Sequence, residues 1–142
     1  MGVSRIFWDT NLFIYLIEDY GKLSERIVSL RQRMNERRDD LYTSTLTVGE
    51  ILIKPFEANN EILARRYEAA LLQSAVLVPF DRDAARLYAR IRHDRTIRPP
   101  DAIQLACAAQ AQVDLFITND DRLSTKSVSH IHFITSLERA FL

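Results

Sequence analysis

The sequence predicts an α/β fold: a three-layer α/β/α sandwich around a central, mostly parallel five-stranded sheet. Two observations predict it. Short apolar runs of strand length alternate with helical patterns along the chain, as parallel strands joined by crossover helices require. The chain has 142 residues, 47% hydrophobic and 27% charged, which suits one sizeable core and argues against disorder. No repeat, low-complexity stretch or linker interrupts it, so residues 1–142 read as a single domain.

Arg5-Ile-Phe-Trp8 is a short, mostly apolar run suited to a buried strand; Asp9 stands where it ends, and residues 12–17 continue as an apolar helix. Residues 24–38 carry Ile27, Leu30 and Met34 at helical spacing, with Ser24 placed as an N-cap. Leu41-Tyr-Thr-Ser44 is a second strand. Residues 47–56 read as helix up to about Lys54, where Pro55 biases an end. Residues 61–74 form a clear helix through Ile62, Tyr67, Leu71 and Leu72. Ala75-Val-Leu-Val-Pro-Phe80 is a third strand, followed by a helix over 82–93. Pro99-Pro100 breaks the chain and opens a helix over 101–112, whose Ala-rich face can pack closely on a sheet. Leu115-Phe-Ile-Thr118 is the fourth strand and Ile131-His-Phe-Ile134 the fifth, with a short C-terminal helix from Ser136.

Nineteen Lys and Arg balance nineteen Asp and Glu, so attraction of the whole molecule to nucleic acid or membrane is excluded and any polyanion needs a local basic patch. Only Lys22, Lys54 and Lys126 are lysines; the rest are arginines, whose planar fork suits phosphate. One cysteine forbids an internal disulfide and fits a reducing compartment. No signal peptide and no apolar run of membrane-spanning length is visible. The expectation is a cytoplasmic protein without a membrane partner.

Four acids stand at comparable places. Asp9 follows the first strand, Glu50 lies in the first turns of the helix after the second, Asp101 opens the helix after Pro99-Pro100, and Asp120 follows the fourth strand. Singly, each has a plain structural explanation. Asp9 can cap the first helix, Thr47-x-x-Glu50 fits a capping box, Asp101 suits a helix start, and Asn119, Asp120 and Asp121 suit a turn. Jointly they read differently. In a parallel sheet, strand ends and the starts of following helices share one edge, where ligands gather, and no lysine is obviously placed among these acids. Two carboxylates about 4 Å apart repel by several kcal/mol at an effective dielectric of about 20. Such a cluster protonates or holds a cation, and oxygen donors suit hard ions such as Mg²⁺ or Mn²⁺, with water and substrate phosphate completing the shell.

Asp9-Thr10-Asn11, Thr47-Val-Gly-Glu50, the helix start Arg98-Pro-Pro-Asp-Ala-Ile-Gln-Leu-Ala106 and Phe116-Ile-Thr-Asn-Asp120 together resemble the four motifs of the PIN domain. More narrowly, the chain is similar over essentially its whole length to VapC-type ribonuclease toxins of toxin–antitoxin pairs. The resemblance implies a PIN-like fold and a Mg²⁺- or Mn²⁺-dependent RNA endonuclease, usually dimeric, inhibited by a small antitoxin protein. Asp9, Glu50 and Asp101 match the acidic triad and Asp120 the more variable fourth acid; Thr118 and Asn11 match the polar residues beside them. Asp9 and Asp101 would be direct ligands, Asp120 a ligand or one acting through water, and Glu50 a ligand or water-orienting base. Asn11 and Thr118 would fix carboxylate rotamers. The Pro-Pro before Asp101 and the Arg-rich stretch 24–40 depart from the pattern.

Arg82, Arg86 and Arg90 recur every four residues, with Arg92, Arg95 and Arg98 leading toward Asp101. They read either as a stripe holding RNA phosphates or as a solvated helix face; Arg98, three residues from Asp101, is the strongest of them. His93, His130 and His132 make no ligand set, Cys107 reads as core packing, and Phe7, Trp8, Phe13, Tyr15 and Phe116 read as core. Phe141-Leu142 and residues 12–17 are candidate dimer or antitoxin surfaces. Two other readings stand beside the nuclease: a PIN-like fold that binds RNA or protein without turnover, and a phosphoacceptor receiver-like domain. The latter needs an acceptor Asp at a mid-chain strand end and a lysine after a late strand.

Overall fold

The computed structural model describes residues 4–140. Among them the strands are β1 (Arg5–Trp8), β2 (Asp40–Ser44), β3 (Val76–Val78), β4 (Leu115–Thr118) and β5 (Phe133–Ser136). They form one sheet in the order β3-β2-β1-β4-β5, with every neighbouring pair parallel. The helices are α1 (Thr10–Ile17), α2 (Lys22–Arg37), α3 (Thr45–Glu57), α4 (Glu61–Ser74), α5 (Arg82–Ile91), α6 (Pro99–Gln110) and α7 (Asp121–Ser124). The expected three-layer sandwich is the fold.

The pleat sorts side chains into two cores. Ile6, Trp8 and Ile117 face one side, against Leu12, Phe13, Ile27, Met34, Ile51 and Leu71 of α1 to α4. Phe7 and Phe116 face the other, against Ala84 of α5, Leu105 and Ala108 of α6 and Leu123 of α7. This is the period-two alternation of strands buried on both faces. Phe7 and Phe116 are register partners and stack at 5.0 Å with an 11° interplanar angle, worth about 0.5–1.5 kcal/mol beyond their burial. The Ala-rich face of α6 is buried at Ala102, Ala106, Cys107, Ala108 and Ala109, so small side chains let this helix lie close to the sheet.

Strand order reverses at β1: β2 and β3 build outward on one side, β4 and β5 on the other. The carboxyl ends of β1 and β4 therefore flank the crevice where open α/β sheets bind ligands.

Several boundaries differ from expectation for local reasons. Asp9 caps α1, which begins at Thr10. Ser24 is not an N-cap: α2 begins at Lys22 behind Gly21, whose φ of 62° suits glycine, and the Ser24 hydroxyl ties the turn by donating to Glu18 O and accepting from Tyr20 N. Pro55 does not end α3; it sits buried in the last turn, and Ala58 N still reaches Lys54 O across it. Helix α6 begins at Pro99, because its first-turn amides need no helical acceptor. Strand β5 lies two residues later than expected, with Phe133 paired to Leu115, while Ile131 is buried against the α6 side. The helix expected from Ser136 is a set of turns, Arg139 N to Ser136 O and Ala140 N to Leu137 O. Helix α7 was not anticipated. Residues 12–17 offer little surface, since Leu12, Phe13 and Tyr15 are buried; Phe141 and Leu142 lie outside the described residues. Among those described, no helix is long and apolar enough to cross a membrane.

Candidate active site at the strand carboxyl ends

Asp9 is the first residue past β1, and its amide donates to Ile117 O at 3.0 Å, locking the end of β1 to β4. Its Oδ1 accepts from Thr10 N at 2.8 Å and its Oδ2 from the Thr118 hydroxyl at 2.9 Å. The same hydroxyl accepts from Asp120 N at 3.1 Å. Thr118, fully buried at the end of β4, therefore fixes the Asp9 carboxylate and the backbone of Asp120 together. Burial pushes the Asp9 carboxyl up to about 6; the two hydrogen bonds pull it down, and the charges of Asp101 and Glu50 push it up further.

Glu50 lies in the second turn of α3, whose N-cap is Ser44. Thr47 is thus inside the helix, and the capping box is not formed. Instead Glu50 Oε1 accepts from the Thr10 hydroxyl at 2.6 Å. A buried network lies behind Thr10. Gln104 on α6 donates its two amide protons to Thr10 Oγ1 and Thr47 Oγ1, both at 2.9 Å, and its carbonyl oxygen accepts from the Ser44 hydroxyl. Thr43 donates to Trp8 O at 3.0 Å, so the 2.8 Å contact between Thr43 and Thr47 carries the Thr47 proton. With one proton per hydroxyl, the Thr10 and Thr47 protons are committed to Glu50 and Thr43, and turning the Gln104 amide over would set its carbonyl oxygen against two hydroxyl oxygens with no proton to give. The network ties β1, β2, α1, α3 and α6 to the orientation of one carboxylate.

Asp101 and Asp120 form the outer part of the site. Arg98 reaches both, with Nε 3.7 Å from Asp101 Oδ2 and an Nη 3.6 Å from Asp120 Oδ2. Arg122 forks onto Asp120 with Nε at 3.2 Å and an Nη at 3.1 Å. Burial raises Asp101 above the usual carboxylate range, and Arg98 opposes that while Asp120 adds to it. Asp120 is held below its ordinary value, chiefly by the hydrogen bonds from Arg122. Asp101, Asp120, Arg98, Arg122, Thr96 and Lys126 line a cavity of about 380 Å³. Lys126 corrects the expectation that no lysine stands near these acids; it bonds Asp94 at 2.9 Å and Thr96 at 2.7 Å rather than a carboxylate of the site.

The remaining candidates fall apart from this centre. Asn11 is exposed on the first turn of α1, and its neighbour Thr10 holds Glu50. Arg82, Arg86 and Arg90 are exposed on α5. Arg86 and Arg90 line a groove with Gln110 and Gln112, at the end of α6 opposite Asp101; Arg98 alone of the four meets the acids. Asp121 is exposed in the first turn of α7, while the Asp120 carboxylate caps that helix and faces Arg98. Thr10, Thr47 and Gln104 stand inside the quoted motifs but carried no site role in the sequence reading, Thr47 serving there only as a capping hydroxyl, and Arg122 and Lys126 carried none. The available signals were a glutamine in an otherwise apolar stretch, one turn after Asp101, and a threonine beside Asp9.

The donor set is oxygen throughout, with no histidine or cysteine, which fits a hard divalent cation. Among the described residues no three His, Cys, Asp or Glu side chains form a ready cage. Mg²⁺ is commonly held by one or two carboxylates with water and substrate phosphate, and Asp9, whose charge is opposed by burial and by two further carboxylates, suits that role.

A PIN domain family model matches residues 6–128. No curated protein matches the chain in sequence. Among solved structures, a VapBC2 complex from Rickettsia felis bound to promoter DNA superposes with a TM-score of 0.70 at 12% identity, covering 94% of this chain and 98% of that one. DNA-bound VapBC from Salmonella typhimurium gives 0.67 at 19%, covering 95% and 99%. VapBC-5 from Mycobacterium tuberculosis, of a toxin–antitoxin family, gives 0.59 at 20%, covering 93% and 98%. At these identities the likeness is one of fold.

Proposed function

The chain belongs to the PIN domain family, and on that premise we propose that it is a divalent-metal-dependent endoribonuclease, the cytoplasmic toxin of a toxin–antitoxin pair. The observation that carries this reading is the Asp9 carboxylate. It is fixed by Thr10 N and Thr118 at the reversal point of the sheet, and its proton affinity is raised by burial and by Asp101 and Glu50. A buried carboxylate beside like charges takes up a proton or a cation, and at neutral pH a carboxyl titrating at about 6 is mostly open to the cation.

Bound Mg²⁺ or Mn²⁺ would supply Lewis-acid polarisation of an RNA phosphate and activation of a water. The chain's own residues do the rest. Asp9 and Asp101 would hold the ion, with Asp120 and Glu50 bonding it or orienting a water beside it. Thr10 and Gln104 keep the Glu50 carboxylate in one orientation, and Thr118 does so for Asp9. Arg98 and Arg122 balance the outer carboxylates and present guanidinium forks to the substrate phosphate. The likeness to VapBC-5, of a toxin–antitoxin family, supports an antitoxin partner, and the working form in this reading is a homodimer.

A fold that binds RNA without cutting it is the second reading, favoured by the seating of Arg98 and Arg122 on Asp101 and Asp120. Purified protein incubated with total RNA in Mg²⁺ or Mn²⁺, against EDTA and beside Asp9→Asn, separates the two. Cleavage confined to the wild type with metal supports the nuclease; binding with no cleavage in any arm leaves the second reading.

A further inference from the structure

Resting on the nuclease reading, the geometry points to a second subsite: we propose that the cavity between α5, residues 93–97, the C-terminal end of α6 at Ala109 and residues 127–130 takes an unpaired nucleobase of the RNA close to the cleaved phosphate. The cavity holds about 530 Å³ and is larger than the one at the acids. Its floor is apolar, formed by Leu87, Ile91, Ile97 and Val128, and its rim carries Arg90, His93, Ser127, Ser129 and His130. None of these five rim side chains is engaged in a hydrogen bond or ion pair among the described residues. Free hydroxyls, imidazoles and a guanidinium over an apolar floor are what a splayed-out base requires: a surface to stack on and donors and acceptors for its edge.

Position selects the occupant. Ile97 is shared with the cavity at Asp101 and Asp120, and the Asp94–Lys126 ion pair joins the two walls. Ala109 in the base cavity is eight residues from Asp101 on α6, roughly 12 Å along the helix, within reach of a nucleotide close to the cut. Arg98, Arg122 and Lys126 line the acid cavity and Arg90 the far one, against Asp101, Asp120 and Asp94; with a cation on the acids at the cut, the balance along the path is positive. In a chain with no net charge this gives a polyanion a local track. A strand whose phosphate lies at the acids therefore delivers a neighbouring base to the cavity.

Two variants test it. Val128→Trp fills the cavity from the loop. His130→Gly removes a rim side chain at a φ of 71°, a conformation glycine adopts without strain, so its fold is preserved. Both are assayed on fluorescein-labelled single-stranded oligoribonucleotides, intact or with one base near the cut replaced by an abasic residue. The expected result is a KM about tenfold higher for Val128→Trp, a smaller rise for His130→Gly, and an abasic penalty of similar size in the wild type that disappears in Val128→Trp. Folded variants that cut the same sites with wild-type KM, or an abasic penalty that persists in Val128→Trp, overturn the subsite and leave the nuclease reading standing. A peptide-binding cavity would give that same result. A wild type that cleaves none of the oligonucleotides in Mg²⁺ or Mn²⁺ overturns the nuclease reading, and the subsite with it.

Discussion

Thr118 donates its hydroxyl proton to Asp9 Oδ2 at 2.9 Å across 109 positions of sequence. Thr118 Oγ1 in turn accepts from the Asp120 amide at 3.1 Å, so one side chain on β4 sets a carboxylate after β1 and the backbone of a second acid. Thr118→Val keeps the shape and removes both bonds. Cleavage should fall about 10–100-fold, as for the loss of a partner that orients a ligand. Stability should fall by about 1–2 kcal/mol, since Asp120 N loses its acceptor. Initial rates across a Mn²⁺ titration and a urea melt measure the two effects.

Gln104 is the hinge of the buried network. Gln104→Leu leaves the Ser44 hydroxyl without its acceptor and removes the donors to Thr10 and Thr47, each unsatisfied buried group costing about 1–3 kcal/mol. The variant should lose about 2 kcal/mol or more in urea and lose activity through Glu50, although it touches no substrate. Unchanged stability would mean that water replaces the amide.

The pH dependence has a definite sign. Asp9 titrates at about 6 in the fold against an ordinary value of 3.8. Between about pH 4 and 6 the folded state therefore binds more protons than the unfolded one, and stability falls as pH rises through that window. Asp101 is shifted the same way. In metal-free buffer, Asp9→Asn should flatten the slope of unfolding free energy over this range. Its absolute gain is reduced because an asparagine cannot accept from both Thr10 N and Thr118. Cleavage by the wild type should rise with pH through about 6 as Asp9 loses its proton to become a ligand. A flat activity profile from pH 5 to 8 would contradict this.

Arg122 is exposed, and exposed ion pairs contribute little to stability. Arg122→Ala should leave the melting temperature near that of the wild type, let the Asp120 pKa rise toward its ordinary value, and weaken RNA binding uniformly across sequences. The slope of log affinity against log salt should fall by about one. Fluorescence anisotropy at several salt concentrations, with the Asp9→Asn background to stop cleavage, reads this directly.

The parts of the molecule legible in sequence were those set by local pattern. Ile6, Phe7 and Trp8 announced a strand buried on both faces, and Asp9, Glu50, Asp101 and Asp120 fell at the edge that parallel topology makes common. What was missed depends on tertiary partners. The two-residue slip in β5 reflects pairing of Phe133 with Leu115, which the apolar stretch 131–134 cannot choose by itself. Ser24 looked like a cap because the chain before it turns through a glycine that only the folded turn explains. Gln104 was hidden in an Ala-rich helix, since its role exists only once Thr10, Ser44 and Thr47 surround it. The α5 arginines repeat at helical spacing, but the helix carries Arg86 and Arg90 toward the far end of α6, and spacing carries no information about direction.

The central claim is that carboxylates at the reversal point of the sheet hold a divalent cation. It is tested most directly by titrating Mn²⁺ into the wild type, Asp9→Asn and Asp101→Asn and following the free-ion signal by electron paramagnetic resonance at pH 7.5. The account predicts that the wild type removes Mn²⁺ from solution and both variants, shown to be folded, leave it free. Equal uptake by all three proteins, or none by the wild type, would contradict it.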